Sequence, residues 1–259
     1  MKSNDTIQLY NETYFLSQVD GFSEYEEFSG IFDHLFERFQ KNIKLMNLQT
    51  HHSYLEFGCG RGEICIYHAL SGGVAVGVDY SNSAINIARK KAAKLNASVS
   101  FHETSFADFT LKENSYDRIL ASEFIEHISE DEGLAFLEIA HRALKPGGKL
   151  LIFTHPNTLQ RRFGYPLIKI IKRIQGIKLP NKQEDENSEH YKMYHLNEQN
   201  YFTLKKSAEK TGFSNYKVNY DEDILDGKDF FLKKIIKIII LSTYLKHIFL
   251  RNLYLLAEK

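Results

Sequence analysis

This chain of 259 residues carries no net charge, little cysteine and no long apolar run free of charge. Its 33 basic residues balance its 33 acidic ones, so no global field gathers nucleic acid. A general RNA or DNA binder is disfavoured, and only a local basic patch stays open. The two cysteines, Cys59 and Cys65, imply no disulfide framework. The start, Met1-Lys2-Ser3-Asn4-Asp5, has no secretory apolar region, which makes the cytoplasm the expected compartment, with the inner face of the membrane open as a second option. The most apolar stretch, Phe230 to Leu250, is interrupted by Lys233, Lys234, Lys237 and Lys246. A spanning helix needs about 20 apolar residues with few charges, so this segment is expected to lie on a surface and not to cross a membrane. No internal repeat or low-complexity tract is visible. The length suits one domain with a full core plus additions.

Against that background one segment stands out. Tyr54-Leu55-Glu56-Phe57 runs into Gly58-Cys59-Gly60-Arg61-Gly62, and Val74-Ala75-Val76-Gly77-Val78 ends on Asp79. An apolar strand thus enters a glycine-rich turn and a helix, and a second strand ends on a carboxylate. Such a unit holds a nucleoside-bearing cofactor: the turn lets backbone approach the ligand, the helix N-terminus offers free N–H groups, and the acid grips ribose hydroxyls. A dinucleotide turn would read G-x-G-x-x-G. Here the third glycine comes one residue early, and Glu56 precedes the turn. A carboxylate there opposes a pyrophosphate and suits a cation.

The rest of the chain alternates strand and helix, as a parallel sheet covered on both faces requires. Residues 1–50 read as an aromatic, acidic arm and an amphipathic helix over Ile31 to Met46, whose apolar residues are spaced by three and four. Residues 51–259 read as the cofactor-binding domain. Strands are expected at 54–57, 74–78, 99–101, 116–121, 150–153, 213–220 and 253–257. Helices are expected at 63–70, after a Ser81 cap to about Leu95, at 131–144 and at 201–210. Pro146, Gly147 and Gly148 read as a turn that halts a helix. Two basic, apolar insertions are expected at about 156–200 and 228–251. The first holds Arg161, Arg162, Lys169, Lys172 and Arg173, then a polar run over 181–189.

The turn Glu56-x-Gly58-x-Gly60-x-Gly62 resembles motif I of the class I S-adenosylmethionine-dependent methyltransferases. Lys145-Pro146-Gly147-Gly148-Lys149-Leu150 is similar to their signature before strand five, and Tyr116-Asp117-Arg118-Ile119 to their strand-four opening. Ser122-Glu123-Phe124-Ile125-Glu126-His127 looks like the E-x-x-E-H segment of one large branch. The resemblance implies a Rossmann-like α/β fold of seven strands, six parallel and one antiparallel, and a cationic cofactor that carries an activated methyl group. It implies cofactor contacts from Glu56, Phe57, Gly58, Cys59, Gly60 and Gly62, ribose binding by Asp79 and adenine stacking by Tyr80. Ser105 and Phe106 fall at the adenine amine, where the family often has Asp in place of Ser105. Ser122 and Glu123 fall on the methionine side.

His127 and Glu126 are the candidate catalytic pair. On a helix start Glu123, Glu126 and His127 would share one face and suit a divalent cation. Metal-free relatives also carry this pair, so no metal is assigned and these three are kept as candidates. His155, His190 and His195 fall near the same edge. The aromatic arm, with Tyr14 and Phe15, is expected as a lid. The run Tyr14 to Phe22 and the segment His195-Leu196-Asn197-Glu198 resemble bacterial methyltransferases of surface-polysaccharide and glycolipid assembly. The expected activity is methyl transfer to an O or N nucleophile of a small molecule or glycan. Three other readings are an RNA 3′-terminal 2′-O-methyltransferase, a quinone-type O-methyltransferase and a non-catalytic ligand binder. The basic insertions suit an anionic membrane face, a substrate cover or a dimer contact.

Overall fold

The computed structural model describes residues 10–174, 176–181, 195–221 and 239–259. Seven strands form one sheet: β1 (Ser53–Phe57), β2 (Val74–Asp79), β3 (Ser100–Glu103), β4 (Tyr116–Ser122), β5 (Leu144–Thr154), β6 (Asn215–Tyr220) and β7 (Leu253–Glu258). Their order is β3-β2-β1-β4-β5-β7-β6, and β7 alone runs antiparallel to its two neighbours. The expected Rossmann-like sheet with six parallel strands is therefore the one observed. The strand order reverses between β1 and β4. In open sheets of this kind ligands bind beyond the C-terminal strand ends at that switch point.

Alternation along each strand splits the core in two. Leu55, Phe57, Ile119, Ala121, Leu150 and Ile152 face one side, where α6 (Glu130–Ala143) and α8 (Tyr201–Lys210) cover them with Phe136, Leu137, Leu204 and Ala208. Tyr54, Leu120, Leu151 and Phe153 face the other side. They meet Ile43 and Met46 of α3 (Glu37–Met46), Ile64 and Cys65 of α4 (Glu63–Leu70), and Ile85 and Ala88 of α5 (Asn82–Lys94). Burial on both faces is why β1 and β2 read as near-continuous apolar runs. Ser81 caps α5, its Oγ accepting the Ala84 N–H at 3.3 Å.

Three expectations change. The helix over Ile31 to Met46 is two pieces: a 3₁₀ turn at Phe32–His34, then α3 from Glu37. Leu35 and Phe36 between them are extended, which sends Leu35 into the core, and Ile31 is 55% exposed. A periodicity count gave Ile31 a buried face that it does not have. Strand β3 runs over Ser100–Glu103, later than the expected 99–101. Strand β5 begins at Leu144, not 150: Leu144 pairs with Tyr116, and the register then jumps to Arg118 with Lys149. The residues 145–148 bulge between these pairs, with Gly147 in the left-handed region. The polar run beyond residue 181, His190, and Lys233, Lys234 and Lys237 lie outside the described residues.

The arm supplies α1 (Glu12–Ser17) and α2 (Phe22–Glu27). In the first insertion a π-helical turn (Gln160–Gly164) leads into α7 (Tyr165–Ile174), and in the second a short α9 (Lys246–Phe249) precedes β7. Among the described residues no helix is long and apolar enough to cross a membrane.

Candidate active site

The glycine turn sits at the C-terminal end of β1, at the switch point. Gly58, Gly60 and Gly62 all have positive φ, of 67°, 52° and 75°. The N–H groups of Gly58 and Cys59 both donate to the Val78 carbonyl, at 2.8 and 3.1 Å, which ties the turn to β2. At Gly62 a side chain is excluded outright, because a Cβ would lie 2.6 Å from the Phe101 ring. Gly60 is different: its open side faces the arm, where the nearest atom to a Cβ would be Phe15 Cε1 at 3.9 Å. Asp79 ends β2 and is buried. Its Oδ2 accepts the Gly60 N–H at 3.0 Å and its Oδ1 accepts the Ser81 N–H at 2.9 Å. The acid thus holds the turn in shape and starts α5.

The other expected cofactor contacts divide. Tyr80 packs edge-on against Tyr10, ring centroids 5.5 Å apart. Ser122 is partly exposed and its Oγ lies 3.4 Å from Asn42 Nδ2. Four side chains do not line a cleft. Phe57 is wholly buried against Phe136, so only its backbone is available. Phe106 packs edge-on with Phe124 and Phe136 in the same cluster. Cys59 is buried with its sulfur against Gly77. Glu56 lies beneath the turn, where its Oε2 accepts the Cys65 thiol at 3.3 Å, and burial pushes its pKa up to about 8. The cationic partner expected for Glu56 is replaced by a thiol, and its charge is removed by protonation at neutral pH. Ser105 is engaged locally: its hydroxyl donates to Asp108 Oδ2 at 2.7 Å and accepts the Asp108 N–H.

The arm closes over this turn. Tyr10 and Phe15 are buried with Ala84 and Ile87 of α5, and Ser81 Oγ donates to the Tyr10 carbonyl at 2.8 Å. Arg61, the variable position inside the glycine turn, is 2% exposed. Its guanidinium donates to the carbonyls of Phe15, Asp20 and Gly21 at 3.2, 3.0 and 3.3 Å, and to Glu63 at 2.9 Å. It also stacks on Tyr25, 4.7 Å from the ring centroid. Burial raises the pKa of the Tyr14 hydroxyl, and Glu123, Asp79, Asp20 and Glu126 all raise it further. Four acids from three segments therefore act on this hydroxyl under the arm. Cations lie among them: Arg38 pairs with both Glu123 and Asp20, and His155 with Glu123.

Beyond β4 the structure corrects the expected helix face. Glu123 has φ of 52° and precedes a 3₁₀ turn at Ile125–His127, so Glu123, Glu126 and His127 do not share a helical stripe. Glu123 takes Arg38 bidentately at 3.0 and 2.9 Å and His155 Nε2 at 2.6 Å. Burial alone would raise its pKa, but Arg38, His155 and His127 hold it down at about 2. Glu126 is fully buried and bonded to Thr154 Oγ1 at 2.9 Å, and burial raises its pKa to about 7. Its backbone carbonyl accepts the N–H groups of Leu196 and Asn197. The Glu126 side chain has no exposed surface, and the residue's backbone anchors the segment that follows His195. His127 packs edge-on with His195 at 5.0 Å and lies 6.4 Å from Tyr10. His155 lies 6.4 Å from His195. Three imidazoles thus gather beside the closed arm. Among the described residues no group of three or more His, Cys, Asp or Glu side chains is placed to hold a metal ion.

Sequence reasoning missed Arg38 and Arg61. Arg38 lies on a helix 85 residues before its carboxylate partner, and nothing local announces that pairing. Arg61 carried a signal: a charged residue inside a tight glycine turn at the end of an apolar strand needs its own partners if it is buried.

Comparison with known proteins agrees with this geometry. Residues 55–148 match a family model described as "Methyltransferase domain". A ubiquinone biosynthesis O-methyltransferase of Nitrobacter winogradskyi is 35% identical over 117 residues, which are 45% of this chain and 44% of that protein. The enzyme of the same name from Bartonella tribocorum is 30% identical over 114 residues, 44% of this chain and 45% of that protein. The match thus spans less than half the length of these relatives. Among solved structures, phosphoethanolamine N-methyltransferase 2 of Haemonchus contortus in complex with S-adenosyl-L-methionine superposes with a TM-score of 0.59 at 17% identity. It covers 96% of this chain and 60% of that one. A SAM-dependent methyltransferase of Archaeoglobus fulgidus gives a TM-score of 0.56 at 20% identity, over 93% of this chain and 100% of that one. At these identities the structural likeness speaks for the fold.

Proposed function

We propose that this chain, whose residues 55–148 match a methyltransferase domain, is a class I S-adenosylmethionine-dependent methyltransferase that transfers a methyl group to an oxygen of a small-molecule acceptor. The observation that carries the reading is the Asp79 carboxylate, fixed by Gly60 N–H and Ser81 N–H beside three left-handed glycines. S-adenosylmethionine, bound there, supplies a methyl group already activated by a sulfonium. The chain's own task is to bind, align and exclude water. Asp79 offers its oxygens to ribose hydroxyls, Tyr80 flanks the adenine, and the carboxylate side of the site under the arm receives the cationic end. Ser122 and Glu123 border that end, and the Glu123–Arg38 pair fixes the β4 edge.

His127 takes the acceptor proton in this reading. It sits at the mouth among Tyr10 and His195, and the buried Glu126 beside it holds the loop that carries His195. An oxygen nucleophile needs such a base, whereas an amine needs little help. Two relatives named as O-methyltransferases favour oxygen, and their names favour a small molecule over a glycan of surface-polysaccharide assembly. The test is calorimetry with S-adenosylmethionine and with NAD, on the wild type and on Asp79→Ala. Micromolar binding of the first ligand only, lost at least about thirtyfold in the variant, is the expected result. Saturable NAD binding, or an unchanged Asp79→Ala isotherm, overturns the site. In turnover, His127→Ala is expected to lower the rate about 10²-fold or more at unchanged cofactor affinity.

A further inference from the structure

Helix α7 has no buried residue, although it is rich in isoleucine and leucine. Leu167, Ile170, Ile171 and Ile174 recur at helical spacing and are all exposed, Ile174 at 83%. Phe163 before the helix and Ile177 after it extend the exposed apolar ridge. Contiguous apolar surface of this kind is unfavourable in water and marks a contact. Among the described residues of this segment the charges have one sign. From Leu159 to Asn181 the sequence holds Arg161, Arg162, Lys169, Lys172, Arg173 and Lys178 and no Asp or Glu. Arg161 is turned inward to Glu198, which leaves a basic fringe beside the isoleucines.

A second apolar element shares this base. The π-helical turn that leads into α7 packs on α9: at Gly164 a Cβ would collide with the Ile248 carbonyl oxygen. Just before α9, Ile239 and Leu245 are exposed and Tyr244 is 86% exposed. Tyrosine with one apolar end and one wet end is a residue of membrane interfaces.

We infer that α7, with the neighbouring Ile239–Leu245 segment, is a peripheral docking face for a bilayer bearing anionic headgroups. The apolar ridge enters the headgroup–acyl boundary, and the Lys and Arg side chains reach the phosphates. Charge selects this occupant: among the described residues the ridge is fringed by cations, which complements an anionic sheet, and facing copies of itself would bring like charges together. The location adds a consequence that rests on the methyl-transfer reading. The segment that ends in α7 begins at His155, and Arg161 is joined through Glu198 to the loop of His195. Docking therefore sets the acceptor side of the site close to the interface and suits an amphiphilic acceptor.

The experiment is co-sedimentation of the full chain with phosphatidylcholine vesicles, with and without 30 mol% phosphatidylglycerol, at low and high salt. Calorimetry with S-adenosylmethionine checks folding and the cofactor site separately. Binding is expected only to the anionic vesicles and is expected to fall as salt rises. Ile170→Glu/Ile174→Glu and Lys169→Glu/Lys172→Glu are each expected to weaken it at least about thirtyfold, with cofactor affinity unchanged. Absence of wild-type binding to anionic vesicles overturns the proposal. So does unchanged binding of the isoleucine variant, or a wild-type dimer that Ile170→Glu/Ile174→Glu converts to monomer without any effect of lipid. Loss of cofactor binding in the wild type, with vesicle binding intact, would instead reject the methyl-transfer reading alone.

Discussion

Arg61 is expected to govern how tightly the arm seals the cofactor turn, and its removal gives the sharpest test of that closure. The guanidinium makes three bonds to arm carbonyls, at Phe15, Asp20 and Gly21, and stacks on Tyr25. A hydrogen bond to a charged group contributes about 1.5–3 kcal/mol when both partners are buried. Three such bonds would suggest a gross loss of roughly 5–9 kcal/mol. The arm can swing away, however, and let water satisfy the carbonyls, which caps the loss. Tyr10 and Phe15 stay buried on α5 and contribute about 1.5–3 kcal/mol each toward docking. The net change in arm opening is therefore expected near 2–4 kcal/mol, a factor of roughly 30 to 1,000.

Glu63 complicates the single variant, because it would be left buried without its cation. Arg61→Ala/Glu63→Gln removes both charges and keeps the fold intact. Hydrogen exchange of residues 10–28 is expected to accelerate by that factor in the double variant. The dissociation rate of S-adenosylhomocysteine is expected to rise in parallel, with a smaller change in association. Arg61→Lys, which keeps charge but lacks the planar fork, should fall between. Unchanged exchange and an unchanged dissociation rate in the double variant would refute the reasoning.

Two further outcomes are expected. Glu56 has a folded pKa near 8, raised from 4.5 by burial. The native state then binds more protons than the unfolded chain between those values, so this residue's contribution to stability falls as pH rises from about 4.5 to 8. Glu56→Gln should gain stability relative to wild type across that window in urea titrations, and parallel profiles would contradict the assignment. Gly62→Ala must take a left-handed φ and drive a Cβ into Phe101. A loss of at least about 1 kcal/mol from the backbone alone, plus a displaced β3 ring, should lower the thermal midpoint by several degrees, and an unshifted midpoint would refute the packing argument.

What the sequence determined by itself is the part written in local pattern. The alternation of strand and helix, the glycine turn, Asp79 after the second strand and Ser81 as a cap all follow from residues close to one another, because hydrogen bonding, capping and turn strain act over a few residues. The E-x-x-E-H segment was also legible, but its geometry was not. Glu123, Glu126 and His127 lie within five positions, yet a left-handed residue and a 3₁₀ turn send them to three environments: an ion pair, a buried bond and an edge-on contact with His195. Only the tertiary structure decided which expected contacts sank into the core, as Phe57 and Phe106 did, and which partners came from afar. Arg38 reaches Glu123 across 85 positions and Arg61 reaches Phe15 across 46. Such pairings depend on how layers stack around the sheet, and they decide whether a buried carboxylate keeps its charge, as Glu123 does beside Arg38, or is driven toward its neutral form, as Glu56 is.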